Sequence, residues 1–169
     1  MKTIIILVFL THSNLFSQDV IKKYDKYENK FYLSLENELS LFISDINETL
    51  TFDLNIIKIY NSQDTSYYLR IEAKYKYKLL CSTVETKCII NYAKDKSIIL
   101  KPSNSEYDRN KFGTDIYNFD FPIQKNELLD LLIQKKIKIL INCSDGELQG
   151  DFSEDNFEDF RKFIINYVK

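Results

Sequence analysis

The sequence predicts an α+β domain: an antiparallel β-sheet of about six to nine strands, a short helix near residues 126–135, and a C-terminal amphipathic helix packed on the sheet. Three observations carry that expectation. Apolar and polar residues alternate with period two through most of the chain from Phe31 to Phe152, as half-buried strands do. Two stretches, after Asn126 and after Ser153, switch to helical spacing. The composition holds 12 Tyr and 12 Phe against 3 Gly and 2 Pro, which favours ordered sheet over disorder.

The chain opens on a segment of another kind. Lys2 supplies a positive flank, Ile4 to Leu10 is an unbroken apolar run, and Leu15-Phe16-Ser17 offers a small residue to a signal peptidase. Residues 1–17 therefore read as a secretory signal peptide, with residues 18–169 as one exported domain. The apolar run is far shorter than the roughly 20 residues a membrane-spanning helix needs. Gln18 stands where a bacterial lipoprotein would need cysteine, so the expected product is released to the periplasm or medium and not lipid-anchored.

Asp19 to Glu28 is charged and tyrosine-rich and reads as a loose lead-in. Phe31, Leu33 and Leu35, then Leu39, Leu41 and Ile43, suit two short strands around a turn at Glu36-Asn37-Glu38, with a helix over residues 33–46 as the competitor. Asp45 to Glu48 reads as a turn, and Leu50 to Ile56 as a strand. After a polar turn comes the longest alternation, with Tyr67, Leu69, Ile71, Ala73, Tyr75, Tyr77 and Leu79 on one face. Tyr68, Arg70, Glu72, Lys74, Lys76 and Lys78 take the other. Cys88 to Tyr92 and Ser97 to Lys101 form the next pair, Pro102 to Gly113 a polar loop, and Ile116 to Ile123 a strand. Asn126 is the expected N-cap of the short helix. Ile137 to Cys143 and Leu148 to Phe152 flank an Asp145-Gly146 turn. Phe157, Phe160, Ile164, Tyr167 and Val168 then form an apolar helical stripe.

This order, with a Tyr-x-Phe strand leading into a short helix, then strand, hairpin and closing helix, runs over Ile116 to Lys169. In that pattern the chain resembles small exported bacterial α+β domains of uncharacterised function. The resemblance involves no catalytic motif and transfers no functional residue.

Much chemistry is excluded by what is missing. The sole histidine, His12, lies in the signal segment, so the exported domain has no Ser-His-Asp or Cys-His nucleophile and no His-ligated zinc, copper or iron. Gly113, Gly146 and Gly150 are too scattered for a P-loop or dinucleotide fingerprint. The acidic run from Asp145 to Asp159 fails the EF-hand template, with Asn156 at the glycine position and Lys162 at the final glutamate. No cofactor is expected. With 23 basic and 25 acidic residues, no global field draws the protein to nucleic acid or an anionic membrane.

Two sets of residues remain as candidates. Cys81 and Cys88 flank a hairpin-like segment and could form a cross-strand disulfide. A bridge to Cys143 or free thiols are the alternatives, and an odd cysteine stays over in any case. Arg70, Lys74, Lys76 and Lys78 could form a binding face for an acidic partner, or a solvated sheet face broken by Glu72. The expected function is a non-enzymatic exported binding domain acting on a protein or small ligand through a sheet surface. An immunity or inhibitor protein against a toxin or hydrolase is the first alternative. A carboxylate-only hydrolase is the second, although the lack of Trp removes the usual platform for stacking sugars.

Overall fold

The structure, a computed structural model, describes residues 20–43, 48–75, 86–93, 96–109, 115–143, 146–152 and 154–169. Within them the chain forms Ile21–Asp25 (β1), Lys30–Ile43 (β2), Glu48–Tyr60 (β3), Thr65–Tyr75 (β4), Lys87–Ala93 (β5) and Lys96–Leu100 (β6). Asn104–Arg109 (β7), Asp115–Pro122 (β8), Lys125–Leu132 (α1), Lys138–Cys143 (β9), Gly146–Asp151 (β10) and Glu154–Tyr167 (α2) follow. The architecture is α+β, and every strand pair is antiparallel. The turns expected at 45–48, 82–87, 93–96 and 144–147 fall wholly or partly outside the described residues. So do the signal segment at 1–17 and the strand tail at 76–79.

The strand order is β6-β5-β9-β10-β2-β3-β4-β8-β7, with β1 added to β2 off this path. It divides into a limb of six strands, β1-β2-β3-β4-β8-β7, and a limb of four, β6-β5-β9-β10. Among the described residues the pairs Leu148–Ile43 and Gln149–Phe42 join them. The long β2 makes this possible, because its first half pairs with β1 and its last residues with β10.

Three expectations are corrected here. Residues 30–43 form one strand rather than two, because the apolar positions on either side of Glu36-Asn37-Glu38 keep the same phase. That segment pairs with β3 without a break from Phe31–Tyr60 to Ile43–Glu48. The lead-in contains β1 and the polar loop contains β7, which brings the described strands to ten. Both lie at the margin of the six-stranded limb, where one neighbour suffices and burial imposes little alternation. Finally, α1 starts at Lys125 with Gln124 as its cap. The Glu127 carboxylate accepts the Gln124 backbone N–H at 2.8 Å, so the helix begins and ends earlier than Asn126 implies.

The core-facing residues alternate as their strands require: Leu33 and Leu35, Leu54 and Ile56, Leu69 and Ile71, Phe119 and Phe121, Ile139 and Ile141. Leu128 and Leu131 of α1, and Phe157, Phe160, Phe163 and Ile164 of α2, join the same cluster. Both limbs and both helices thus share one core, which requires the sheet to curl. The chain path gives the same result. The terminal strands of the sheet order, β6 and β7, are consecutive in sequence and separated only by Lys101, Pro102 and Ser103. From Leu100 to Asn104 the chain can span at most about 14 Å. The two sheet edges therefore converge at that corner, where Ser103 donates its backbone N–H to the Asp120 carbonyl at 2.8 Å.

Candidate functional site

The β1–β2 hairpin carries aromatic rings that extend from the edge of the core into solvent. Its turn is built from short polar side chains. The Asp25 carboxylate accepts the backbone N–H groups of Tyr27 at 2.8 Å and Glu28 at 3.2 Å. Asn29 takes a left-handed φ of 53°, which Asn tolerates better than most residues. The side-chain oxygen of Asn29 also accepts the Tyr24 hydroxyl at 2.8 Å. Register then sets Tyr24 opposite Phe31, and Phe31 opposite Tyr60, on the face shared with Leu33 and Leu35. The rings meet in sequence, with centroids 4.7 Å apart for Tyr24–Phe31 and 5.3 Å for Phe31–Tyr60, the second pair stacked. Tyr24 remains 53% exposed and Phe31 44%, while Tyr27 projects from the turn at 88%.

Lysines border this platform. Lys58 donates from Nζ to the Tyr167 carbonyl at 2.6 Å, in the last turn of α2, and lies 5.2 Å from the Tyr60 ring centroid. Burial lowers the Lys58 pKa, and the charge of Lys125 lowers it further. Lys22 stands over the Tyr167 ring at 5.7 Å. At the turn, Lys30 pairs with Glu28 at 2.8 Å, and that hydrogen bond raises the Lys30 pKa.

The stripe expected on β4 has a different setting. Arg70 forms a two-pronged ion pair with Asp120 of β8, Nε to Oδ1 at 2.6 Å and Nη2 to Oδ2 at 2.9 Å. Hydrogen bonding to Asp120 is the main cause of its raised pKa. By register, the adjoining row across the same sheet face reads Asp53, Glu72, Asn118 and Glu106. Arg70 is therefore a neutralised cation beside carboxylates. Lys74 holds its place on β4 opposite Ile116, and Lys76 and Lys78 lie outside the described residues. An Arg70→Ala/Asp120→Ala double-mutant cycle should give a coupling of about 0.5–1 kcal/mol, since Arg70 is well solvated. Urea unfolding in low salt and in about 1 M NaCl should show that coupling shrink.

Cys88 is a free thiol, fully buried on β5 opposite Leu100 and Ile141. Its expected partner Cys81 lies outside the described residues. Among the described residues, no group of three or more His, Cys, Asp or Glu side chains could hold a metal ion.

No family model matches the sequence, and no curated protein matches it. Among solved structures the chain is similar to invasion associated protein B from Bartonella henselae. The TM-score is 0.41 at 10% identity, over 85% of this chain and 89% of that one.

In the sequence Tyr24 reads as part of a loose segment, and no local pattern marks Phe31 or Tyr60 as functional. The signal available was turn chemistry: Asp25 and Asn29 bracket a tight reversal, with aromatics on both sides at Tyr24 and Phe31. Tyr67, by contrast, packs in the core as its alternation suggests.

Proposed function

We propose that the protein is an exported, non-enzymatic binding domain that engages a protein partner through the platform of Tyr24, Phe31 and Tyr60. One observation carries this reading: Tyr24 and Phe31 lie partly open to solvent on a hairpin held by its own turn, their rings in contact with each other and Phe31 stacked on Tyr60 of β3. Rings in that state cover large area on association at little further entropy cost, and aromatics are prominent among interface hot spots. The absence of histidine beyond His12 agrees with a role in contact rather than catalysis. Export rests on the apolar leader and its small residue at Ser17.

The test is affinity capture from the envelope and medium of the source organism, with the purified protein as bait and Tyr24→Ala/Phe31→Ala as its control. A partner held by the wild type should bind the double variant at least about 30-fold more weakly, the scale of a hot-spot loss. Unfolding by urea should change little, since both rings lie outside the core cluster. A partner retained equally by the variant, or none retained by the wild type, defeats the proposal.

A further inference from the structure

Where the sheet edges converge, the structure leaves a cleft of about 520 Å³ between the ends of β4, β6 and β8 and the start of α1. That volume falls within the range of small-ligand sites. Its character is divided. Its apolar lining includes Ile99 of β6 and the cross-strand neighbours Tyr68 and Pro122. Ile99 is the informative member. Its neighbours Ile98 and Leu100 turn into the core, whereas Ile99 takes the opposite face of β6 and stays 60% exposed in the cleft. A solvated position at a sheet edge is normally given to a charged or polar residue.

The rim is cationic. Lys101 and Lys125 both line the cleft, Lys125 also reaching the Lys169 carbonyl from Nζ at 3.4 Å, and the one carboxylate among its described lining residues, Glu127, accepts the Gln124 backbone N–H at 2.8 Å. Lys58, held by the Tyr167 carbonyl, sits 6.0 Å from the Tyr67 ring and close enough to Lys125 for the two charges to repel. Like charges crowded in this way are relieved by an anion. Hydroxyls of Thr65 and Ser66 are at hand as further polar groups.

We infer that this cleft binds a small amphipathic monoanion, an aliphatic or aromatic carboxylic acid. Its apolar body lies on Ile99, Tyr68 and Pro122, and its carboxylate faces Lys101 and Lys125. The cleft lining does not include Tyr24, Phe31 or Tyr60, so different variants test the two proposals.

The experiment uses 8-anilinonaphthalene-1-sulfonate, an aromatic anion, in a fluorescence titration of the purified protein, with octanoate and 1-octanol as competitors. Near-ultraviolet circular dichroism monitors the fold throughout. The expected result is one saturable site, displaced by octanoate and much less by the neutral alcohol. Lys101→Glu/Lys125→Glu and Ile99→Asp should each weaken binding at least about tenfold. Ile133→Asp, at another exposed isoleucine away from the cleft, should leave it unchanged, as should Phe31→Ala. If Ile99→Asp does not fold, Ile99→Ser gives the same readout. Absence of a saturable site, binding unaffected by both cleft variants, or equal displacement by octanol and octanoate would overturn the inference.

Discussion

Phe121→Ala is expected to destabilise the protein by about 3–5 kcal/mol, the range for removing a large aromatic from a packed core. Phe121 has no exposed surface and pairs across the sheet with Leu69, itself fully buried. Its ring neighbours Phe119 at a centroid distance of 6.2 Å, and Leu128 and Leu131 of α1 close the same cluster. Removing the phenyl group thus loses its transfer free energy and leaves a cavity between elements tied by strand pairing. Domains commonly have only about 5–15 kcal/mol in hand, so the variant should stand near the threshold of folding. Urea titration followed by far-ultraviolet circular dichroism should show a lower midpoint with an unchanged slope. Ile165→Ala, on the solvated side of α2, should shift stability by less than about 0.5 kcal/mol. A cost below about 1 kcal/mol for Phe121→Ala would mean that β8 does not carry the core as described.

The contrast between Phe121 and Phe31 shows where the sequence is informative. Both occur in strands with period-two alternation, and nothing local separates the buried ring from the exposed one. The central strands β3, β4 and β8 are readable because burial of one face imposes a two-sided pattern over many residues. The marginal strands β1 and β7 are not, because a single neighbour stabilises them and Lys22, Lys23, Glu106 and Asp108 meet solvent or other polar groups. Local polarity at Glu36-Asn37-Glu38 suggests a break, whereas the phase of the flanking apolar residues does not. Phase prevailed, because a one-residue slip would have turned every later apolar side chain to the wrong face.

The candidate sites depend more heavily on distant residues. Arg70 reads as a free cation until Asp120, fifty residues further along, is placed beside it. Ile99 lies in the run Ile98-Ile99-Leu100, where nothing local separates the exposed isoleucine from its buried neighbours. Its exposure appears only when β6 is known to be a sheet edge closing on β4 and β8. Period and propensity carry no information of that range, and the aromatic platform and cleft both rest on it.

Cys88 should make the protein lose stability in alkali, and its thiol should be almost inert at neutral pH. Desolvation pushes the Cys88 pKa from 9.0 up to about 12. As pH rises past about 9, the unfolded chain releases this proton while the folded chain keeps it, so the unfolded state binds fewer protons. Stability then falls by about 1.4 kcal/mol per pH unit until the folded thiol also titrates near pH 12, and this group contributes no pH dependence below about 8. Tyr67, whose pKa burial also raises, acts in the same direction. Lys58, whose pKa burial lowers, acts in the opposite one, gaining stability with rising pH. Subtracting the pH profile of Cys88→Ala from that of the wild type isolates the thiol. Reactivity offers a second reading. At about pH 8 the thiolate fraction is roughly a thousandfold smaller in the folded protein than in the unfolded chain, so modification should slow by at least about that factor. In a Cys81→Ser/Cys143→Ser background, an aromatic disulfide reagent should label Cys88 promptly in urea and hardly at all in its absence. Native labelling within about tenfold of the unfolded rate, or identical alkaline profiles for wild type and Cys88→Ala, would show that the thiol is not sealed between β6 and β9.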